Sequence, residues 1–221
     1  MEVADQKGRI LIITGGFATE ALLKKLTEKE AYSMIIAADH GLTIADRLGL
    51  PLDYIVGDFD SVPEQLLMKY REALVPIKTY PTEKDKTDTQ IALELALKAK
   101  PVAIDMVGAT GSRLDHTLAN LHLLLLPLQL KVEAFLLDEH NRVSLKQGGF
   151  TLSRDEQYGE FVSLLPFTEV VKDVTLTGFK YPLEKATLYS GSSIGISNEL
   201  VAEEGRVEFQ EGILVVFETK D

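Results

Sequence analysis

The chain has 221 residues, 45% hydrophobic and 26% charged, with no cysteine and a formal net charge of −11. That composition fits a globular protein with one or two cores and excludes disulfides, thiolate metal sites and a cysteine nucleophile. The acidity leaves no basic stripe for a nucleic-acid backbone but suits metal ions and cationic ligands.

The opening MEVADQKGR has no basic, apolar and small-residue signal pattern. No apolar run reaches membrane-spanning length, and LHLLLLPLQL is broken by Pro127. A cytoplasmic protein without nucleic-acid or membrane partners is therefore expected. RILIIT reads as a buried strand, followed after Gly15-Gly16 by FATEALLKKLTEKE at helical spacing. SMIIAA is the next strand, ending at Asp39-His40-Gly41, and LTIADRLG a short helix. LDYIVGD, PEQLLMKYRE with Pro63 in its first turn, and ALVPIKTY give strand, helix and strand. TDTQIALELALKAK, PVAIDMVG and RLDHTLANLHLLLL add helix, fifth strand and helix. Such alternation predicts a mostly parallel α/β sheet covered on both faces.

The texture changes after Pro127. From KVEAFLLDE onward the pattern is of short strands broken by glycine and polar turns, including FVSLLPF, VVKDVTLTG, SIGISNEL and ILVVFET. Their spacing predicts an antiparallel β-sandwich. The expected division is an α/β domain over 1–128 and a β-sandwich domain over 129–221.

In open parallel sheets, ligands sit at the carboxyl ends of strands. Glycines and carboxylates gather there: Gly15-Gly16, Asp39 to Gly41, Gly57 to Ser61, Thr82 to Asp88, and Gly108 to Asp115. On an extended segment Asp58 and Asp60 would project to one side, and two such charges are reconciled by a hard cation such as Mg²⁺. Asp60 or Ser61 would equally serve as cap for the helix after Pro63. Asp85 and Asp88 enter the next helix, where Asp88 also complements the helix dipole. Lys84 and Lys86 flank this turn. GATGSRLDH is a glycine-bearing loop before a helix, suited to phosphate, with Arg113 as a planar fork and Asp115 as an acceptor. His116 and His122 read as packing residues. Neither a Walker A loop nor a G-x-G-x-x-G fingerprint occurs. These residues point to a metal-dependent enzyme acting on nucleotides.

Taken in order, AADHGL, VGDFDS, EKDKTDTQIAL, GATGSRLDHTLANL, SLLPF, TLTGFKYPL and GISNEL resemble the thiamine pyrophosphokinase (thiamine diphosphokinase) family. The resemblance implies an N-terminal α/β domain for ATP and a C-terminal sandwich for thiamine. It also implies transfer of the ATP diphosphate to thiamine's hydroxyethyl group, releasing AMP. Mg²⁺ would be held by Asp58, Asp60 and Asp88, with Asp85 and Arg113 joining them in catalysis. ATP would meet Asp39, His40, Gly41, Lys86, Gly108, Gly111, Arg113, Asp115 and Asn120, and thiamine would meet Tyr181, Ser197 and Asn198. A homodimer with active sites at the subunit interface is implied as well. Two departures from the family pattern stand out: His40 where a glycine is usual, and Ala109 after Gly108. Either Asp85 or Asp88 would take the proton. The alternatives are a Mg²⁺-dependent phosphohydrolase using D-x-D, and a nucleotide- or thiamine-sensing module without turnover.

Overall fold

Near-continuous apolar runs form the first strands, because a parallel strand is covered on both faces and has no polar side. The computed structural model describes residues 8–60, 62–79 and 85–221. They divide into two compact units, Met1–Glu139 and His140–Asp221.

In the first unit β1 (Arg9–Ile13), β2 (Tyr32–Ala38), β3 (Tyr54–Gly57) and β4 (Ile77–Thr79) alternate with α1 (Glu20–Lys29), α2 (Gly41–Arg47) and α3 (Glu64–Glu72). Next come α4 (Asp88–Lys98), β5 (Ala103–Val107), α5 (Leu114–Leu123), α6 (Leu125–Gln129) and β6 (Glu133–Leu137). Their order across the sheet is β6-β5-β1-β2-β3-β4, with every pairing parallel. The chain runs outward from β1 to β4 and then returns to place β5 on the other side of β1. That reversal opens a crevice between β1 and β5 at their carboxyl ends.

Local chemistry sets the helix starts that matter. Thr19 caps α1 by accepting from the Leu22 amide, and Thr87 caps α4 by accepting from the Gln90 amide. The buried side of α4, with Ile91, Ala92, Leu95 and Ala96, packs on β1, β2 and β3. One carboxylate lies inside the apolar sheet: Asp105 of β5 accepts from Arg9 and from the Tyr32 hydroxyl, each at 2.7 Å. No helix among the described residues is long and apolar enough to cross a membrane.

One expected strand changes place. KVEAFLLDE falls by its pattern with the antiparallel strands, but β6 pairs parallel to β5 and completes the first sheet. Its alternation is compatible with either direction, and only the pairing partner decides between them.

The second unit comprises β7 (Asn141–Lys146), β8 (Phe150–Ser153), β9 (Phe161–Pro166), β10 (Val170–Thr177), β11 (Leu183–Tyr189), β12 (Asn198–Glu199), β13 (Glu204–Glu208) and β14 (Leu214–Thr219). Strands run antiparallel in the orders β12-β9-β14-β7 and β11-β10-β13-β8. Alternate residues of both layers, among them Val162, Leu164 and Val216 from one and Val174, Leu176 and Val207 from the other, form one core. This is a β-sandwich. SIGISNEL, expected as a strand, is a turn-rich loop in which Asn198–Glu199 pairs with β9 and Leu200 forms a single bridge to Phe179.

Candidate functional site

The crevice between β1 and β5 is a cleft of about 590 Å³. Two backbone turns form its floor and are laced together: the Thr14 amide donates to Val107, Gly16 to Gly108 and Phe17 to Thr110, at 2.7–2.8 Å. Glycine is required for this lacing. A Cβ on Gly16 would lie 2.2 Å from the Gly108 oxygen, and one on Gly108, at φ 76°, would lie 2.4 Å from the Thr14 oxygen. The loop from Gly108 to Arg113 then runs along the cleft and leads into α5.

Carboxylates from three further turns face the same space: Asp39 after β2, Asp58 after β3, and Asp85 and Asp88 at the start of α4. Asp39 adopts φ 48°, and its amide is fixed by the Val56 carbonyl at 2.8 Å. The Asp58–Asp60 segment differs from the extended geometry expected of it. The strand ends at Gly57, and buried Phe59 adopts φ 64°, turning the chain so that the Asp58 carboxylate accepts from the Asp60 amide at 3.3 Å. Asp58 therefore lines the cleft, whereas the exposed Asp60 does not. The helix that follows, α3, has Pro63 as its N-cap, which makes no side-chain cap bond. Ser61, Thr82 and Lys84 lie outside the described residues.

Among the described residues, no three His, Cys, Asp or Glu side chains gather closely enough to hold a metal ion by themselves. The cleft instead offers separate carboxylates. That donor set fits a hard cation which takes one or two carboxylates and completes its shell with phosphate oxygens and water.

Among the described residues, the lysine and the arginine that line the cleft, Lys86 and Arg113, are each held by a carboxylate of the same chain. Arg113 grips Asp115 through two nitrogens, at 2.6 and 3.2 Å, on the exposed start of α5. The hydrogen bond holds the Asp115 carboxyl below its usual range and raises the Arg113 guanidinium. Lys86 binds Glu94 at 2.8 and 2.9 Å. Its hydrogen bond, with help from Gln90 and against partial burial, holds Glu94 low. Asp115 does not itself line the cleft. Asn120, nearly buried, donates its side-chain amide to the Ala109 carbonyl at 2.7 Å and so supports the loop from behind.

Two other expectations change. Gly41 is buried where a Cβ would stand 2.2 Å from the Ile13 oxygen, so its role is close packing against β1. His40 has ordinary helical backbone angles, an exposed side chain and no place in the cleft lining. His116, read as a packing residue, is exposed and lines the cleft, and His122 is exposed too. Among the residues of α5 only Asn120 is buried, so an apolar composition did not mean a buried helix. Thr14, Thr110 and Ser112 also line the cleft, although nothing in their spacing singled them out.

Comparison with known proteins now adds to this geometry. Residues 24–136 match the model for the thiamin pyrophosphokinase catalytic domain, and residues 150–214 match its vitamin B1 binding domain. The thiamine pyrophosphokinase of Bacillus subtilis (strain 168) is 35% identical over 215 residues, covering 96% of this chain and 99% of that protein. The chain belongs to the thiamin pyrophosphokinase family. It is accordingly an enzyme, a diphosphokinase by family. The crystal structure of the Bacillus subtilis thiamine pyrophosphokinase superposes with a TM-score of 0.86 at 32% identity, covering 96% of this chain and 99% of that one. That of the Geobacillus thermodenitrificans thiamin pyrophosphokinase gives 0.83 at 32% identity, covering 96% and 98%.

The thiamin pyrophosphokinase catalytic match falls within the first unit and the vitamin B1 match within the second. Within the latter, Asn198 is buried and its carboxamide imitates a strand. It accepts from the amides of Tyr181 at 3.0 Å and Glu199 at 2.9 Å, and donates to the Tyr181 carbonyl at 2.8 Å. Tyr181 is thereby held at a position where the residue is 57% exposed. Ser197 is exposed at φ 55°, with its amide fixed by the Ser163 hydroxyl oxygen at 2.9 Å.

Proposed function

We propose that this enzyme transfers the diphosphate of ATP to the hydroxyethyl oxygen of thiamine, giving thiamine diphosphate and AMP. The first unit holds ATP and the second contributes the thiamine side. The observation that carries this reading is the switch-point cleft, where Asp39, Asp58, Asp85 and Asp88 face Lys86, Arg113 and a glycine-built loop.

The chemistry asks for positioning and charge balance more than for a covalent intermediate. A bond forms from the hydroxyethyl oxygen to the β-phosphorus, and the bond from that phosphorus to the α,β-bridging oxygen breaks, leaving AMP. The hydroxyl proton passes to a carboxylate at the start of α4, Asp85 or Asp88. Arg113 and Lys86 exchange Asp115 and Glu94 for phosphate oxygens, and Arg113 steadies the charge that grows on the leaving oxygen. The Arg113–Asp115 pair is exposed and the Lys86–Glu94 pair only partly buried, and ion pairs so open to water are weak, so the exchange is inexpensive. Mg²⁺, when bound, would neutralise phosphate oxygens, with Asp58 and Asp88 of the cleft as its protein ligands. Thiamine's fixed positive charge suits the acidic rim. The family resemblance adds a homodimer with its active sites between subunits.

The test is AMP formation from ATP and Mg²⁺, measured with and without thiamine, in the wild type and in Asp58→Asn and Asp88→Asn. Thiamine-dependent AMP that is lost in both variants, with folding intact, supports the reading. Near-normal turnover by both variants overturns the assignment of these carboxylates, and free phosphate formed without thiamine overturns the reaction.

A further inference from the structure

Two carboxylates that neither the sequence motifs nor the cleft lining include stand directly after β6. Asp138 accepts from the Thr110 hydroxyl at 2.9 Å, and Glu139 accepts from the Thr19 hydroxyl at 2.8 Å. Both threonines sit on the laced turns. Thr110 lines the cleft, and its carbonyl accepts the Phe17 amide at 2.7 Å. Thr19 is the α1 cap, whose oxygen also accepts from the Leu22 amide at 3.2 Å. Each turn is thus tied twice, to its neighbour through backbone and to the end of β6 through a side chain.

The placement is informative because it runs against the long-range charge. A carboxylate behind a loop that meets polyphosphate adds repulsion there, while acceptance by a charged group makes the hydrogen bond stronger than a neutral one. Asp138 and Glu139 are half-buried and do not line the cleft, so their link to it runs through the two threonines. We infer that Asp138, seconded by Glu139, is a positioning residue for the nucleotide: it fixes the Gly108–Arg113 loop through Thr110, so that ATP meets a loop already in shape. This inference rests on the reading of the cleft as the ATP site. Without the tie, ordering the loop would be charged to ATP binding, and thiamine would be unaffected.

The experiment measures ATP affinity by calorimetry and the KM of each substrate in the wild type, Asp138→Ala, Asp138→Asn, Thr110→Val, Thr110→Ser and the Asp138→Ala/Thr110→Val double variant. Asp138→Ala should weaken ATP binding and raise the ATP KM about tenfold or more, the scale of a lost hydrogen bond to a charged group, with thiamine KM unchanged. Thr110→Ser, which keeps the hydroxyl, should restore most of the affinity, and Asp138→Asn, which keeps an acceptor without the charge, part of it. Thr110→Val should match Asp138→Ala, and the double variant should be no worse than either. Wild-type ATP affinity in Asp138→Ala, additive losses in the double variant, or an equal rise in the KM of thiamine would overturn the inference. If Asp138→Ala does not fold, the Thr110→Val and Thr110→Ser pair decides, since equal affinities in those two refute the tie. A wild type that binds no ATP would instead refute the reading of the cleft.

Discussion

The Gly16 amide donates to the Gly108 carbonyl at 2.8 Å, and a Cβ on Gly16 would stand 2.2 Å from that same oxygen. Hydrogen bond and glycine are therefore one requirement: the turns after β1 and β5 touch only because residue 16 has no side chain. Gly15 differs, since a Cβ there would meet the His40 Cβ at 3.3 Å, a contact that asks for a shift of only a few tenths of an ångström.

Gly16→Ala should force the two turns apart. A displacement near an ångström at a site of positioning costs about 10²-fold in turnover, and the overpacking costs about 1–3 kcal/mol. Gly15→Ala should keep most activity. Steady-state kinetics with thermal melts of both variants checks this, and equal activity in the two would refute the role given to the lacing.

The α/β unit was legible in sequence because parallel strands leave so little choice: RILII and AIDMV are apolar almost throughout and become β1 and β5. What the sequence could not supply was neighbourhood. That β5 returns to lie beside β1 decides which strand ends share a cleft, and no local pattern encodes it. The same limit misplaced KVEAFLLDE, whose β6 is parallel. It also hid the turn at Phe59, whose positive φ is uncommon for a bulky residue and removes Asp60 from the cleft. Asn198 shows a third limit, since a buried amide that completes a strand and one that meets a ligand read alike in sequence.

Away from the cleft, Arg9→Met should expose the cost of a carboxylate inside the sheet. Asp105 is 2% exposed and would keep only the Tyr32 hydroxyl, and Arg9 is itself part-exposed, so the loss at neutral pH should lie at the low end of about 3–5 kcal/mol. Burial pushes the Asp105 carboxyl up, and the Arg9 charge and the Tyr32 hydroxyl oppose it. Removing Arg9 lets the carboxyl rise further in the folded state than in the unfolded chain. The folded state then binds the proton more tightly, so stability is gained as pH falls through the folded pKa toward the unfolded one. Urea denaturation across the acid range should show the Arg9→Met penalty shrinking; a penalty constant with pH would count against it.

In the second unit, Asn198→Ala removes three hydrogen bonds around Tyr181 and leaves backbone groups without partners. It should cost about 1–3 kcal/mol and free the Tyr181 ring. Ser197→Ala, at an exposed position, should change stability by less than about 0.5 kcal/mol. If Asn198 acts by holding Tyr181, then Asn198→Ala and Tyr181→Ala should raise the KM of thiamine to similar extents without altering that of ATP. Chemical denaturation and substrate titrations check both, and an unchanged stability in Asn198→Ala would refute the structural role.

The most direct measurement follows the β-phosphorus. ATP carrying label at that atom is incubated with the enzyme, Mg²⁺ and thiamine, and the products are separated. Diphosphate transfer predicts label in thiamine diphosphate, unlabelled AMP in equal amount, and neither product without thiamine. Label recovered in ADP or in inorganic phosphates, with none on thiamine, would contradict it.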